Sequence, residues 1–348
     1  MATRPPNRFD ASETPIGPYD APPDAPWFLP DAGDDEPTRA PLPQVQRPKL
    51  IDPRSWADAQ AALSAELAHL ALLYGALEER LRTGAPGLRH RLALTEAANL
   101  SWAVGDRVSA DRLGLWQVLR LSGVQDDAPG LARASFALRR LAGGPAPRLD
   151  LSEGAALASF LGRQGLPDEV QDLVVLAASL AHLHPATQAA AVAQGWQMLG
   201  QGGPTRAVEA GVLASRLAAA MGRAGADGGF VPQTMAGKTL AQGHLAHDRF
   251  ASWISGATSA TRAALLHLDR VSVWQHKASL ALADHHGRTP ALLVQVLTDW
   301  PMVTSPMAEG VIGANKATIL RNFALLQGRD LLREVTGQGR YRVWTARI

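Results

Sequence analysis

The chain has 348 residues, of which 46% are hydrophobic and 19% charged, and its formal net charge at pH 7 is only +2. This composition is typical of a globular protein long enough for two domains, and so small a net charge does not identify a partner. Zero cysteines exclude disulfide bonds, thiolate metal sites and cysteine nucleophiles. The sequence contains no run of about 18 uncharged apolar residues and no apolar signal segment, so we expect a cytoplasmic protein without a membrane span.

Residues 1–48 form a Pro-rich acidic segment that contains half of the 24 prolines. Such a segment buries too little apolar surface to offset the entropy lost on ordering, and we therefore expect it to be disordered. Its one apolar cluster includes Trp27 and Phe28. These side chains are expected either to pack loosely on their own domain or to dock on a protein partner.

Residues 49–225 are predicted to form an all-α domain of seven or eight helices. Apolar residues recur at spacings of three and four, and several helical segments begin next to Pro or Ser and end near Gly. The first predicted helix runs from Trp56 to Arg82. We expect this domain to mediate oligomerisation or to bind a partner.

Two further segments separate the helical domain from the C-terminus. Residues 226–246 are rich in glycine and are predicted to be an irregular connector. Residues 247–286 are predicted to form a helical arm that is broken near Gly256 and the "ATSAT" sequence at 257–261. The second part of this arm leads straight into the last domain, so it is expected to be a rigid arm or a dimerisation helix.

Residues 287–348 are predicted to form a winged helix-turn-helix domain. A helix ends at Pro301, and a second helix is capped by Thr304 or Ser305 and followed by Gly313. A third helix covers "ANKATILRNFALLQ", and "REVTGQGRYRVW" then gives two short alternating segments joined by glycines, which predicts a β-hairpin. In a domain with this order of elements, the third helix enters a DNA major groove and the hairpin is the wing. The whole chain is thus expected to be mostly α, with one small hairpin.

The third helix and the wing contain the candidate DNA-binding residues. At about 100° per residue, the predicted core side of the helix holds Ala317, Ile319, Leu320, Phe323, Ala324 and Leu326, and Leu325 points outward without an explanation. The predicted DNA-binding residues are Asn315, Lys316, Thr318, Arg321 and Asn322 on the helix, and Gln338, Arg340 and Arg342 in the wing. Asn suits adenine and Arg suits guanine, whereas lysine and the wing arginines suit phosphates.

The charge distribution favours DNA without deciding the matter. From Arg288 to Ile348 there are eight Arg or Lys and four Asp or Glu residues, whereas residues 1–49 carry eight acidic and five basic side chains. A homodimer is expected, since paired half-sites multiply the few contacts that one winged helix makes. The alternative is a protein-binding winged helix in which Arg321 or Arg342 only solvates a surface or pairs with Glu334 or Asp330.

No pattern in the sequence indicates catalysis, a cofactor or a metal site. The histidine clusters lack carboxylates at ligand spacing, and no serine lies in a nucleophile elbow. We therefore expect a protein that is not an enzyme and uses no cofactor.

Two segments resemble known families. "PMVTSPMAEGVIGANKATILRNFALLQGRDLLREVTGQGRYRVW" resembles the C-terminal winged helix of Fic-type proteins, and more closely the terminal helix-turn-helix of an uncharacterised alphaproteobacterial family that is often plasmid-encoded. The segment "LRHRLALTEAANLSWAVG" and the residues that follow it are similar to a helical domain of unknown function from the same bacteria.

These resemblances imply a DNA-binding transcriptional regulator or a plasmid or chromosome maintenance factor. They do not imply Fic chemistry, because the His-Pro-Phe-x-x-Gly-Asn-Gly loop is absent and His184-Pro185 continues as "ATQAAA". The alternative function is a non-enzymatic structural subunit of a chromosome-partition (condensin-like) or other multiprotein complex.

Overall fold

Helices dominate the computed structural model of the chain, and one small antiparallel sheet lies near its C-terminus. The structure describes residues 51–119, 128–144, 146–147, 154–164, 168–199, 203–225, 229–237, 245–337 and 341–348. None of the helices within these ranges is both long and apolar enough to cross a membrane. The mostly α fold is as predicted.

The N-terminal part of the described chain is entirely helical. Its elements are α1 (Pro53–Ala62), α2 (Ser64–Thr83), α3 (Gly87–Ala103), α4 (Ala110–Leu119), α5 (Ala128–Ala142), α6 (Gly154–Phe160), α7 (Asp168–Ser179), α8 (Pro185–Met198) and α9 (Gly203–Ala218), followed by a 3₁₀ turn at Ala219–Met221. The described ranges thus hold nine helices here, against the seven or eight expected. The difference arises at Leu63, which leaves the helical conformation at ψ 24° and divides the predicted first helix in two.

The remaining elements are α10 (Ala246–Ala281), α11 (Arg288–Asp299), β1 (Val303–Thr304), α12 (Ser305–Ile312), α13 (Lys316–Gly328), β2 (Leu332–Glu334) and β3 (Val343–Ala346). The buried apolar residues form two clusters. The first extends from Ile51 to Leu268, and the second from Trp274 to Ala346. Helix α10 contributes to both, with Phe250 in the first and Trp274 in the second, so one continuous helix links the two cores.

The predicted break in the helical arm is wrong, because α10 continues through 36 residues without interruption. Gly256 and Ala257 are buried within it, as are Ala260 and Thr261. A Cβ on Gly256 would lie 3.5 Å from the carbonyl oxygen of Gln233. The small residues that suggested a break therefore let the helix pass close to its neighbours.

Residues 229–237, in the predicted connector, are irregular and are held by a buried carboxylate on α3. Oε1 of Glu96 accepts hydrogen bonds from the backbone N–H groups of Gln233 at 2.8 Å and Thr234 at 2.9 Å. Burial raises the pKa of Glu96, and these donors oppose that rise. The connector is therefore anchored to the helical core where the structure describes it.

The C-terminal elements form a winged helix-turn-helix. The sheet order is β1-β3-β2 and both pairs are antiparallel, with Val303 opposite Trp344 and Leu332 opposite Ala346. The predicted hairpin is thus β2–β3, with β3 as the central strand. Strand β1 was not predicted, because two residues are too few to show the alternation of a strand.

A buried arginine joins the winged helix to the helical core. Gly87 lies so close to the end of α11 that a Cβ there would clash with the carbonyl oxygen of Asp299. One turn later Nη2 of Arg91 donates to three carbonyl oxygens at the end of α11, those of Leu297 at 2.6 Å, Thr298 at 3.2 Å and Trp300 at 2.8 Å. The positive charge therefore caps the negative end of the helix dipole.

Three contacts reinforce this joint. Arg333 on β2 pairs with Asp111 on α4 at 2.8 Å, and Nε1 of Trp274 on α10 donates to the carbonyl of Leu331 at 2.8 Å. Arg329 makes two hydrogen bonds of 2.9 Å to the carboxylate of Asp284, just beyond α10. The winged helix is therefore held against α3, α4 and α10 rather than tethered by a free linker.

The substitution Arg91→Met should destabilise the protein. It keeps much of the side-chain length but leaves three C-terminal carbonyls of α11 without their donor, at a cost of about 2–4 kcal/mol in the free energy of unfolding. Thermal and denaturant unfolding of the full chain would measure this loss. Arg288→Met, at the exposed start of α11, is the matched control and should change stability little. Equal stability of the two variants would contradict the capping role.

Candidate nucleic-acid interface

The turn between α12 and α13 is built by local capping signals. Thr304 Oγ1 accepts a hydrogen bond from the N–H of Met307 at 3.3 Å, and a proline occupies the first turn of α12. Gly313 ends the helix in the left-handed region at φ 73°, which favours glycine. The predicted cap at Thr304 and the predicted turn at Gly313 are confirmed.

The two asparagines predicted to read bases are used within α13 itself. Asn315 is the N-cap, and its Oδ1 accepts from the N–H of Thr318 at 2.9 Å. Nδ2 of Asn322 donates to the carbonyl of Thr318 at 2.8 Å, and both Asn322 and Thr318 are half-buried. In this structure these three residues therefore stabilise the helix, and Asn315 alone of them is fully exposed.

The buried side of α13 is narrower than predicted. Ile319, Phe323 and Leu326 are buried, and the Phe323 ring stacks on Trp344 with centroids 4.2 Å apart. The assignment of Ala317 and Ala324 to the core was wrong, because both are exposed. Leu325, which the helical pattern left pointing outward, is half-buried against the C-terminal hydrophobic cluster.

Lys316 and Arg321 are the exposed cations of α13, and neither makes an ion pair with any other described residue. The exposed alanines Ala317 and Ala324 lie on the same helix. Small side chains beside free cations let a helix backbone approach a nucleic-acid surface closely. Arg321 therefore shares an exposed face of α13 with Ala317 and Ala324, whereas Lys316, about 140° away around the helix, lines a groove together with Glu309 of α12.

The described arginines of the wing are less available to a ligand than the sequence suggested. Arg342 pairs with Glu334 at 3.1 Å, and its guanidinium lies 5.2 Å from the centroid of the Trp344 ring. This is the internal pairing weighed as the alternative. Arg333 pairs with Asp111 of α4, so its side chain is directed towards the helical domain and not towards a ligand. Gln338 and Arg340 lie outside the described residues, as do Trp27 and Phe28.

A groove of about 820 Å³ is lined by residues of α4, α12 and α13 and by the chain at the start of β3. Its lining includes Lys316, Leu320, Arg342 and Tyr341, together with Glu309 on α12 and Val118 on α4. Tyr341 is highly exposed and has a positive φ of 56°. Val118 and Tyr341 were not among the predicted site residues. The sequence carried no signal for either residue, because nothing in it placed α4 beside the wing.

Comparison of the chain with protein-family models and with curated proteins gives no match. The function is therefore inferred from this site.

The role of Asn315 as a cap can be separated from any role in binding. Asn315→Ala should lower the free energy of unfolding by about 1 kcal/mol, because the N–H of Thr318 loses its acceptor. Asn315→Ser restores an N-cap oxygen and should unfold close to the wild type in thermal denaturation. If the alanine and serine variants have the same midpoint, the side chain does not stabilise α13.

Proposed function

We propose that the protein binds double-stranded DNA through α13 and the adjacent wing. In this proposal it acts in the cytoplasm as a non-enzymatic transcriptional regulator or as a plasmid or chromosome maintenance factor. The observation that supports it most is a pair of exposed cations on the third helix of a winged helix-turn-helix, Lys316 and Arg321, which make no ion pair with another described residue.

The chemistry of the proposed contact follows from the exposed cations of α13. A major groove about 12 Å wide admits an α-helix, and its floor offers guanine O6 and N7 to an arginine. Arg321, in the middle of α13, is the residue proposed to reach a base edge. Lys316, in the first turn, is proposed to contact a phosphate, which positions the helix without reading sequence.

The remaining predicted contacts have different proposed roles. Asn315, Thr318 and Asn322 orient α13 through their intrahelical hydrogen bonds. Arg342 contributes positive potential at the groove, reduced by its pairing with Glu334. The likeness of residues 301–344 to the terminal helix-turn-helix of the alphaproteobacterial family supports this use of the domain, and we propose that the chain is related to that family.

A second candidate function is supported by the character of the groove. Val118, Leu320 and Tyr341 give it apolar surface, and Glu309 adds a negative charge beside Lys316. A groove of this kind suits a protein segment better than a phosphate backbone. The protein would then be a structural subunit of a chromosome-partition or other multiprotein complex.

Fluorescence anisotropy with a labelled DNA duplex over a range of salt concentrations tests the first proposal. The logarithm of the affinity should fall linearly with the logarithm of the salt concentration. Lys316→Ala should weaken binding and make the slope shallower by about 1, because it removes one phosphate contact. Arg321→Ala should weaken binding by about 1–3 kcal/mol and reduce the preference for guanine at the contacted position, because Arg321 is proposed to reach a base edge.

The matched control is Arg347→Ala, in the same domain. Arg347 is exposed but pairs with Asp330 at 2.8 Å, so this variant should keep the wild-type slope. Absence of DNA binding at low salt, together with stoichiometric co-purification of a protein partner that Tyr341→Ala releases, would favour the second candidate function.

A further inference from the structure

A cavity of about 600 Å³ lies where the winged helix meets the helical core. The helical core contributes residues of α3, α4 and α10 to its wall, and the winged helix contributes the chain after α11, strand β2, and strand β3 with the residues that follow it. A volume of this size is typical of sites that bind small organic molecules. We call the space between Arg91, His267, Met302 and Arg333 the joint cavity.

Two side chains that line the joint cavity each carry a buried nitrogen without a hydrogen-bond partner. One is Nε of Arg91, a residue only 4% exposed, and the other is Nε2 of His267, and neither has a partner among the described residues. Buried polar groups in folded proteins nearly always have a partner, because an unpaired one is costly. A hydrogen-bond acceptor that enters the cavity would supply a partner for both nitrogens.

The imidazole of His267 is neutral at pH 7. Burial, together with the nearby positive charges of Arg91 and Arg270, lowers the pKa of His267 to about 4. A neutral imidazole has one N–H donor and one acceptor nitrogen. In the tautomer with the hydrogen on Nε2, His267 can donate to a ligand in the cavity.

Arg91 is the lining cation whose charge lacks an ion-pair partner. Its Nη2 donates to backbone carbonyl oxygens, and it makes no ion pair with any other described residue. The charge of Asp299 attracts Arg91 from beyond ion-pair distance, but Asp299 does not line the joint cavity. A negative charge inside the cavity would therefore lie beside an incompletely compensated guanidinium.

The other lining cations already have carboxylate partners. Arg333 pairs with Asp111 at 2.8 Å, and Arg347 pairs with Asp330 at 2.8 Å. These two pairs leave no further demand for negative charge. A ligand with a single negative charge therefore matches the cavity better than a doubly charged phosphate ester does.

We propose that the joint cavity binds a small organic acid, with its carboxylate between Arg91 and His267. The apolar part of the ligand packs against the apolar lining residues, which include Leu94, Ala110 and Met302. Because the wall comes from both the helical core and the winged helix, a bound acid stabilises their present arrangement. Its use as an effector of DNA binding rests on the proposed function, whereas the binding itself does not.

Nuclear magnetic resonance of the full chain with labelled methionine methyl groups tests this site, with 2-naphthoate as the probe. The aromatic ring of the bound probe should shift the methyl signal of Met302, which Met302→Leu identifies. The signal of Met198, exposed on α8 and outside the cavity lining, should not move. The uncharged isostere 2-naphthamide should bind at least about tenfold more weakly, because it cannot make the charge-assisted hydrogen bonds.

Two pairs of variants locate the anion without removing Arg91, on which the fold depends. Ala110→Asp adds a carboxylate to the cavity wall in the first turn of α4, a position where a helix accepts a negative charge. It should weaken 2-naphthoate binding at least about tenfold, because the like charges repel, whereas the uncharged Ala110→Asn should retain binding. His267→Phe should weaken binding several-fold, and His276→Phe, exposed on the same helix, should not.

Three results would overturn the proposal. They are an unshifted Met302 signal at millimolar 2-naphthoate, equal binding of 2-naphthamide, and equal binding by Ala110→Asp and Ala110→Asn. None of these measurements contains DNA. Failure to bind DNA would therefore refute the proposed function alone, and any of the three results would refute the carboxylate site alone.

Discussion

The buried guanidinium of Arg91 is the interaction on which the placement of the winged helix depends. A buried cation without partners is strongly unfavourable, and burial lowers the pKa of Arg91 to about 10, so it stays charged at neutral pH. The three carbonyl oxygens at the end of α11 offset this cost, because they are themselves the unpaired acceptors of a helix terminus. Each group satisfies the other, and both would be left unpaired if α11 moved away from α3. The backbone at Gly87 also packs directly against the carbonyl oxygen of Asp299, so close packing as well as hydrogen bonding holds α11 against α3.

The contacts that hold the winged helix against the helical core also involve α10. The helix contributes to both hydrophobic clusters, and Trp274 ties its second half to the winged helix through Leu331. A rigid helix shared between two cores transmits the position of one to the other, so a partner bound along its outer face also sets the position of the winged helix.

The helices, their caps and the hairpin could be predicted because they depend on local signals. Contacts between residues far apart in the chain could not be predicted. Thr304, Gly313 and the apolar periodicity of α13 act within a few residues, so the sequence displays them directly. The pairing of Arg333 with Asp111 joins residues more than two hundred positions apart, and no spacing rule reaches so far. The alanines of α13 were misassigned because the predicted core side was taken too wide: Ala317 and Ala324 lie about 160° and 140° around the helix from the buried Ile319. The continuity of α10 was missed because buried glycine and alanine mark close packing as well as breaks.

The ion pairs of the C-terminal arginines limit how strongly one copy of the protein could bind DNA. The basic excess of residues 288–348 suggested a broad cationic surface, yet four arginines are held in ion pairs: Arg329 with Asp284, Arg333 with Asp111, Arg342 with Glu334 and Arg347 with Asp330. On α13 the described cations without such a partner are Lys316 and Arg321. Two charges release few counterions, so one copy would bind DNA weakly and with a shallow salt dependence. Two copies held by one interface would double these contacts and gain the effective concentration of a linked pair. Under the DNA-binding proposal, a protein with two described unpaired cations on this helix therefore depends on the pairing of two copies.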